Sequence, residues 1–160
     1  MFIIEKNKEG KTVGESALDN QALEIHSSDL TPYGIVISAR ILHMVSKQAS
    51  HVAQTHSGTI CENSGIDYVR FYSAVSKNDK LFCKIAVNRV WGSTIEVGVK
   101  VLAEDFRLIE QKDVLTAYFL FEAKDEEGNL ADIPEVIPES DAEKRRYVYA
   151  ETRRQQRRKL

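Results

Sequence analysis

The sequence predicts an α+β fold in which one long helix lies against a single antiparallel sheet, and three observations carry that prediction. Between Val36 and His56, Ile41, Leu42, Val45, Ala49, Val52 and Ala53 recur at steps of three and four, which places them on one side of a helix. The other side carries Arg40, Lys47, Gln48, Ser50, His51 and Gln54, so the apolar side needs a cover. The chain beyond the helix reads as strand, turn, strand until a charged tail, and only those strands can supply that cover.

The elements follow in order. Residues 1–20 are polar and Gly-containing and are expected to form a flexible N-terminal arm. Gln21 to Ser28 alternates, with Leu23 and Ile25 on one face of a first strand. The turn Thr31-Pro32-Tyr33-Gly34 leads into the helix, and Ser57-Gly58 stops it. Thr59 to Phe71 holds strand residues with a bulge or break at Ser64-Gly65, and Ser76-Lys77-Asn78-Asp79 is a polar turn. Leu81 to Trp91 is almost continuously apolar, as expected of a strand buried on both faces. Gly92-Ser93 makes a tight connection to Thr94–Leu102, where Ile95, Val97, Val99 and Val101 share a face. Ala103 to Lys112 reads as a charged loop, and Val114 to Ala123 as the last long strand. Two prolines make residues 133–138 extended. Ser140 and Glu143 have the spacing of a capping box that opens a final basic helix over 139–160, which leaves 21–138 as the main domain.

With 160 residues and a formal charge of −2, the chain has the size of one domain and no global bias toward nucleic acid or membrane. No apolar run reaches the roughly 20 residues that span a bilayer, and Phe2-Ile3-Ile4 is too short for a signal-peptide core. Cys61 and Cys83 lack CxxC spacing and read as reduced, buried side chains, so a cytoplasmic location is expected. His43, His51 and His56 lie on the helix without the i, i+4 spacing of a metal pair, and His26 lies apart, so no metal is expected. Eight of the 22 Lys and Arg residues fall between Lys144 and Lys159. That block reads as a solvated helix packed on the sheet by Tyr147 and Val148; contact with RNA, anionic lipid or the coenzyme A phosphates of a neighbouring subunit is the alternative.

The stretch TPYGIVISARILHMVSKQASHVAQTHSG, the strand IDYVRF, the hairpin NRVWGSTIEVGVKV and the ending AYFLFEAKDEEGN…IPEVIPE together resemble the hotdog-fold acyl-CoA thioester hydrolases, the bacterial and cytosolic branch acting on fatty acyl-CoA. The resemblance runs from about Leu23 to Arg146. It implies a five- or six-stranded sheet around the helix, edge-to-edge dimers that often assemble into hexamers (trimers of dimers), and active sites drawing on both chains. The resemblance also implies that no cofactor is required, because coenzyme A arrives as part of the substrate.

The resemblance also carries residues over. Gly34 matches the glycine of the family's turn, and Ser38 and Ala39 stand where the family usually has Gly-Gly, at the backbone N–H groups that polarise the thioester carbonyl. The family's catalytic Asp or Glu falls on Ser46, the often acidic next position on Lys47, and an often Asp or Asn position on Ile35. His43, three residues before Ser46, is the one neighbour at helical spacing that could take a proton from its hydroxyl; an ordinary surface or interface His is the plainer reading. Ser93 and Thr94 match the hydroxyl pair that contacts coenzyme A, with Arg89 and Lys84 as nearby cations for its phosphates. Asp67 and Arg70 read as exposed cross-strand pairs. Two functions follow: a thioesterase weakened at its acid position, or an acyl-CoA-binding protein that has lost catalysis.

Overall fold

A computed structural model of the chain describes residues 9–105, 107–108 and 110–160. The central helix, α1, spans Ser38–Ser57 and buries Ile41, Val45, Ala49, Val52, Ala53 and His56. It ends where Gly58 adopts a left-handed φ of 72° and returns its N–H to the Gln54 carbonyl at 2.9 Å.

A five-stranded antiparallel sheet covers that buried side. Its strands are β2 (Leu18–Leu23), β3 (Ile60–Phe71), β4 (Lys80–Trp91), β5 (Thr94–Glu104) and β6 (Gln111–Lys124). Their spatial order is β2-β4-β5-β6-β3, so β2 and β3 are the edges. Alternation decides the faces: Ile95, Val97, Val99 and Val101 of β5 join the core with Leu115, Ala117, Phe119 and Phe121 of β6. The expected charged loop at 103–112 is shorter than its composition suggests, because β5 runs through a fully buried Ala103 to Glu104 and β6 begins at Gln111.

Residues 9–20 depart from the arm expected of them, while Met1–Lys8 lie outside the described residues. The short strand β1 (Lys11–Thr12) pairs in parallel with β7 (Val136–Ile137), and Val13 enters the core. The proline-flanked segment is thus extended as expected, and its edge pairing recruits residues too polar to announce a strand. The first sheet strand starts at Leu18 rather than Gln21 and ends at Leu23, short of Ile25. In β3, the break at Ser64-Gly65 is a register shift, and a second shift follows between Asp67 and Arg70.

The last helix, α2, spans Asp141–Arg158 and opens on the expected box, with Glu143 N–H donating to Ser140 Oγ at 3.1 Å. It covers the sheet face turned away from α1. Tyr147 and the fully buried Ala150 seat it, whereas Val148, expected to pack on the sheet, is 61% exposed. Its arginines are also less solvated than their composition suggests, because Arg153 and Arg157 close on Glu96 of β5. Asp67 accordingly pairs with Arg157 at 2.7 Å instead of with a neighbouring strand, and Arg70 lies over the Tyr72 ring.

Candidate active site at the start of the central helix

The turn before α1 is held from several sides. Gly34 N–H donates to Thr31 O at 3.0 Å, and Gly34 takes a φ of 74°, the left-handed region that favours glycine. The following residues run extended between two supports. Val36 N–H donates to Val75 O and Ile37 N–H to Asp29 O, both at 2.8 Å, while Lys77 N–H donates to Gly34 O at 2.9 Å.

This bracing delivers an open helix end. Ile37 is the N-cap and has no side chain able to accept, so no cap bond forms. Arg40 and Ile41 N–H both turn back to Ile37 O, at 2.9 and 3.4 Å. Ser38 and Ala39 N–H find no acceptor among the described residues, and both residues are exposed. Two free amides at the positive end of a twenty-residue helix form a ready receptor for developing negative charge. Gly34 spends its own N–H on the turn and so shapes the site.

Ser46 lies on the same stripe as Ala39, about two turns further along the helix, and is half-buried. It has no hydrogen-bond partner among the described residues, and the exposed His43 ring makes no bond to it. Lys47 is exposed, as is Ile35 at 39%. No carboxylate therefore stands on this stripe. The nearest in sequence, Asp29, is buried beneath the turn, where it accepts His26 N–H at 2.9 Å and lies 4.0 Å from Arg40 Nε.

The expected coenzyme A residues lie at the far end of the helix. Thr94 pairs with Glu122, and Glu122 with Glu62 near the start of β3, just after α1 ends. Gly92 (φ 60°) and Ser93 form the tight hairpin turn, and Ser93 O accepts Ala123 N–H at 2.8 Å. Within one chain, the hairpin and the free amides are thus separated by roughly the length of α1, about 30 Å. Arg89 and Lys84 are committed elsewhere. Arg89 stacks on the Tyr147 ring at 4.0 Å, donates to Tyr147 O at 3.2 Å and lies 3.9 Å from Glu151. Lys84 meets Asp19 at 3.4 Å on the opposite edge strand. Sequence spacing could not reveal these partners, because the first comes from a helix some 60 residues away.

No group of His, Cys, Asp or Glu suited to a metal ion occurs among the described residues. No helix among them is long and apolar enough to cross a membrane. Both cysteines are free and buried, and burial pushes the Cys83 thiol up to about 11.

No family model matches the sequence. Mouse acyl-coenzyme A thioesterase 11 is 30% identical over 118 residues, which cover 74% of this chain and 20% of that protein. An uncharacterized acyl-CoA thioester hydrolase of Bacillus subtilis is 25% identical over 115 residues, covering 72% of this chain and 67% of the relative. The chain thus spans about a fifth of the mouse protein and two thirds of the bacterial one. Among solved structures, an acyl-CoA hydrolase from Bacillus cereus superposes with a TM-score of 0.88 at 29% identity, covering 94% of this chain and 91% of that one.

Proposed function

The chain belongs to the hotdog-fold acyl-CoA thioester hydrolases, and we propose that it hydrolyses acyl-CoA to free acid and coenzyme A at the start of α1. The observation that carries this reading is the pair of exposed, unbonded amides at Ser38 and Ala39. A thioester carbonyl lodged there gains most as water adds and its oxygen becomes an anion, so the donors favour the transition state over the substrate. Ser46 holds the attacking water without removing its proton, since a hydroxyl is no general base near neutral pH. Turnover is correspondingly slow.

We further propose that a second copy completes the site. β3 is an edge strand with Ile60, Ile66, Val69 and Phe71 exposed along it, an open invitation to pairing. Antiparallel pairing of two β3 edges about a two-fold axis sets the start of one β3 beside the end of the other. The partner's hairpin at Gly92–Thr94 then approaches this chain's α1 start, because Val75, just beyond β3, bonds Val36. The separation seen within one chain favours this arrangement. Three such dimers give the hexamer that the family resemblance implies.

Ser38→Pro tests the amides directly. Ile37 has a ψ of 123°, the extended geometry that a following proline requires, so the helix keeps its start while one N–H is deleted. Thiol release from acyl-CoA should fall by roughly 10²-fold with little change in helicity; unchanged release would contradict the assignment. The second reading, an acyl-CoA binder without turnover, is favoured by the stripe without a carboxylate. Coenzyme A binding with no thiol release from acetyl- to palmitoyl-CoA would establish it.

A further inference from the structure

The turn before α1 borders a cavity of about 560 Å³ whose polar side chains can all donate. Ser27, Thr31, Tyr33 and Lys77 line it together with Leu30 and Pro32, and no acidic residue does. The Ser27 and Tyr33 hydroxyls and the Lys77 ammonium have no partner among the described residues. Thr31 Oγ1 accepts Ile35 N–H at 3.3 Å, which leaves its own hydroxyl proton to give. Asp29, the nearest carboxylate in sequence, is buried beneath the turn and spent on His26 N–H. A hollow supplied with a cation and hydroxyl donors but no carboxylate fits an anionic acceptor.

The backbone fixes where that cation stands. Ile35 bridges Ser76, and Lys77 N–H donates to Gly34 O at 2.9 Å. The Lys77 stem then lies over Gly34, where an added Cβ would stand 3.4 Å from Cδ, and carries the ammonium out to the cavity. Between this cation and the free amides of Ser38 and Ala39 runs the extended segment 35–37. Val36 is buried, whereas Ile35 and Ile37 are 39% and 38% exposed on its other face. From Gly34 to Ser38 an extended chain spans at most about 14 Å. The order along the surface is thus a pair of free amides, an apolar strip and a cation. A plain fatty acyl chain leaves the ammonium and its neighbouring hydroxyls unused; a chain that ends in a second carboxylate satisfies both ends.

We infer that the acyl group taken by this site carries a carboxylate at its far end, received by Lys77 and the Ser27 and Thr31 hydroxyls while Ile35 and Ile37 pack its methylenes. The inference rests on the proposed hydrolysis at Ser38 and Ala39 and names its substrate class, the coenzyme A monothioesters of aliphatic dicarboxylic acids. Water supplies the hydroxyl of the new carboxyl group and the proton of the departing thiol, so the products are the dicarboxylic acid and coenzyme A.

Acyl-CoAs of equal chain length test it: adipoyl-CoA against hexanoyl-CoA, and suberoyl-CoA against octanoyl-CoA. Calorimetry reads binding and thiol release reads turnover. The parent chain should favour the dicarboxylic member by roughly tenfold in Kd and in kcat/KM. Lys77→Ala should bring that ratio to about one, and Lys77→Glu should turn it toward the member with the apolar tail. Lys77 is exposed, and its backbone N–H, which braces Gly34, survives both changes. Added salt should shrink the parent's preference. Equal affinity of the parent for both members, no affinity for either, or a preference that Lys77→Ala retains overturns the inference. The same loss for both members in Lys77→Ala also overturns it, since the cation then meets a phosphate of coenzyme A. Thiol release without preference removes the substrate class and leaves the hydrolase; absence of any release removes the hydrolase, and the calorimetric ratio still decides the cavity.

Discussion

Arg153 of α2 grips both carboxylate oxygens of Glu96 of β5, with Nη2 2.6 Å from Oε1 and Nε 3.2 Å from each oxygen. Glu96 is fully buried, and Arg157 Nη2 and Asn88 Nδ2 complete its shell at 2.8 and 3.1 Å. A carboxylate in that position is tolerable only because every approach to it is cationic or a donor. The contact fixes α2 across the sheet.

Glu96→Ala should therefore destabilise the chain by about 3–5 kcal/mol, since it strands two arginines under α2. Urea denaturation followed by circular dichroism measures this. Loss of less than about 1 kcal/mol would mean that the clamp contributes only specificity.

Gly98 faces the Asn88 side chain so closely that an added Cβ would stand 2.6 Å from Nδ2. Gly98→Ala should cost about 1–3 kcal/mol by pushing Asn88 off Glu96. Asn88→Ala in the same chain should recover part of that loss, because it clears the space. Equal stability of the single and double variants would rule out the clash as the cause.

His56 is buried with one ring nitrogen, Nε2, 2.8 Å from Pro134 O and the other, Nδ1, without a partner. Burial lowers its pKa below the ordinary 6.5, opposed by the bond to Pro134; Lys11 nearby lowers it further, and Glu15 and Glu135 raise it. The unfolded chain then binds this proton more readily than the folded one. The His56 contribution to stability is complete above about pH 6.5 and is lost as the pH falls toward the lowered folded value. Denaturation midpoints compared between pH 7.5 and 5 should drop less for His56→Gln than for the parent chain. An equal drop would exclude His56 as the origin.

The box at the start of α2 makes a smaller prediction. Ser140→Ala removes the acceptor for Glu143 N–H and should cost about 1 kcal/mol, read as a lower denaturation midpoint.

These contacts mark where sequence reading succeeds and where it stops. The stripe from Ile41 to Ala53, the Gly92-Ser93 hairpin and the Ser140–Glu143 box are local patterns, and each forms where spacing predicts it. Glu96 looks like a solvent-facing residue of an alternating strand; it is buried because α2 arrives from 57 positions away. The pairing of Lys11–Thr12 with Val136–Ile137 is equally nonlocal and polar. Tyr68 has neither the glycine nor the asparagine that usually announces a left-handed bulge residue. At the site, the helix start is legible from Thr31 to Ala39, whereas the stacking of Arg89 on Tyr147 is not, because Tyr147 lies on a distant element.

Free-thiol release from a panel of acyl-CoAs, by the parent chain and by Ser46→Asp, tests the proposed site most directly. Restoring a carboxylate two turns from the free amides should raise kcat/KM by roughly 10²-fold or more over a slow parent rate. A parent chain already as fast as Ser46→Asp, or silence from both proteins, would contradict a hydrolytic site at the start of α1.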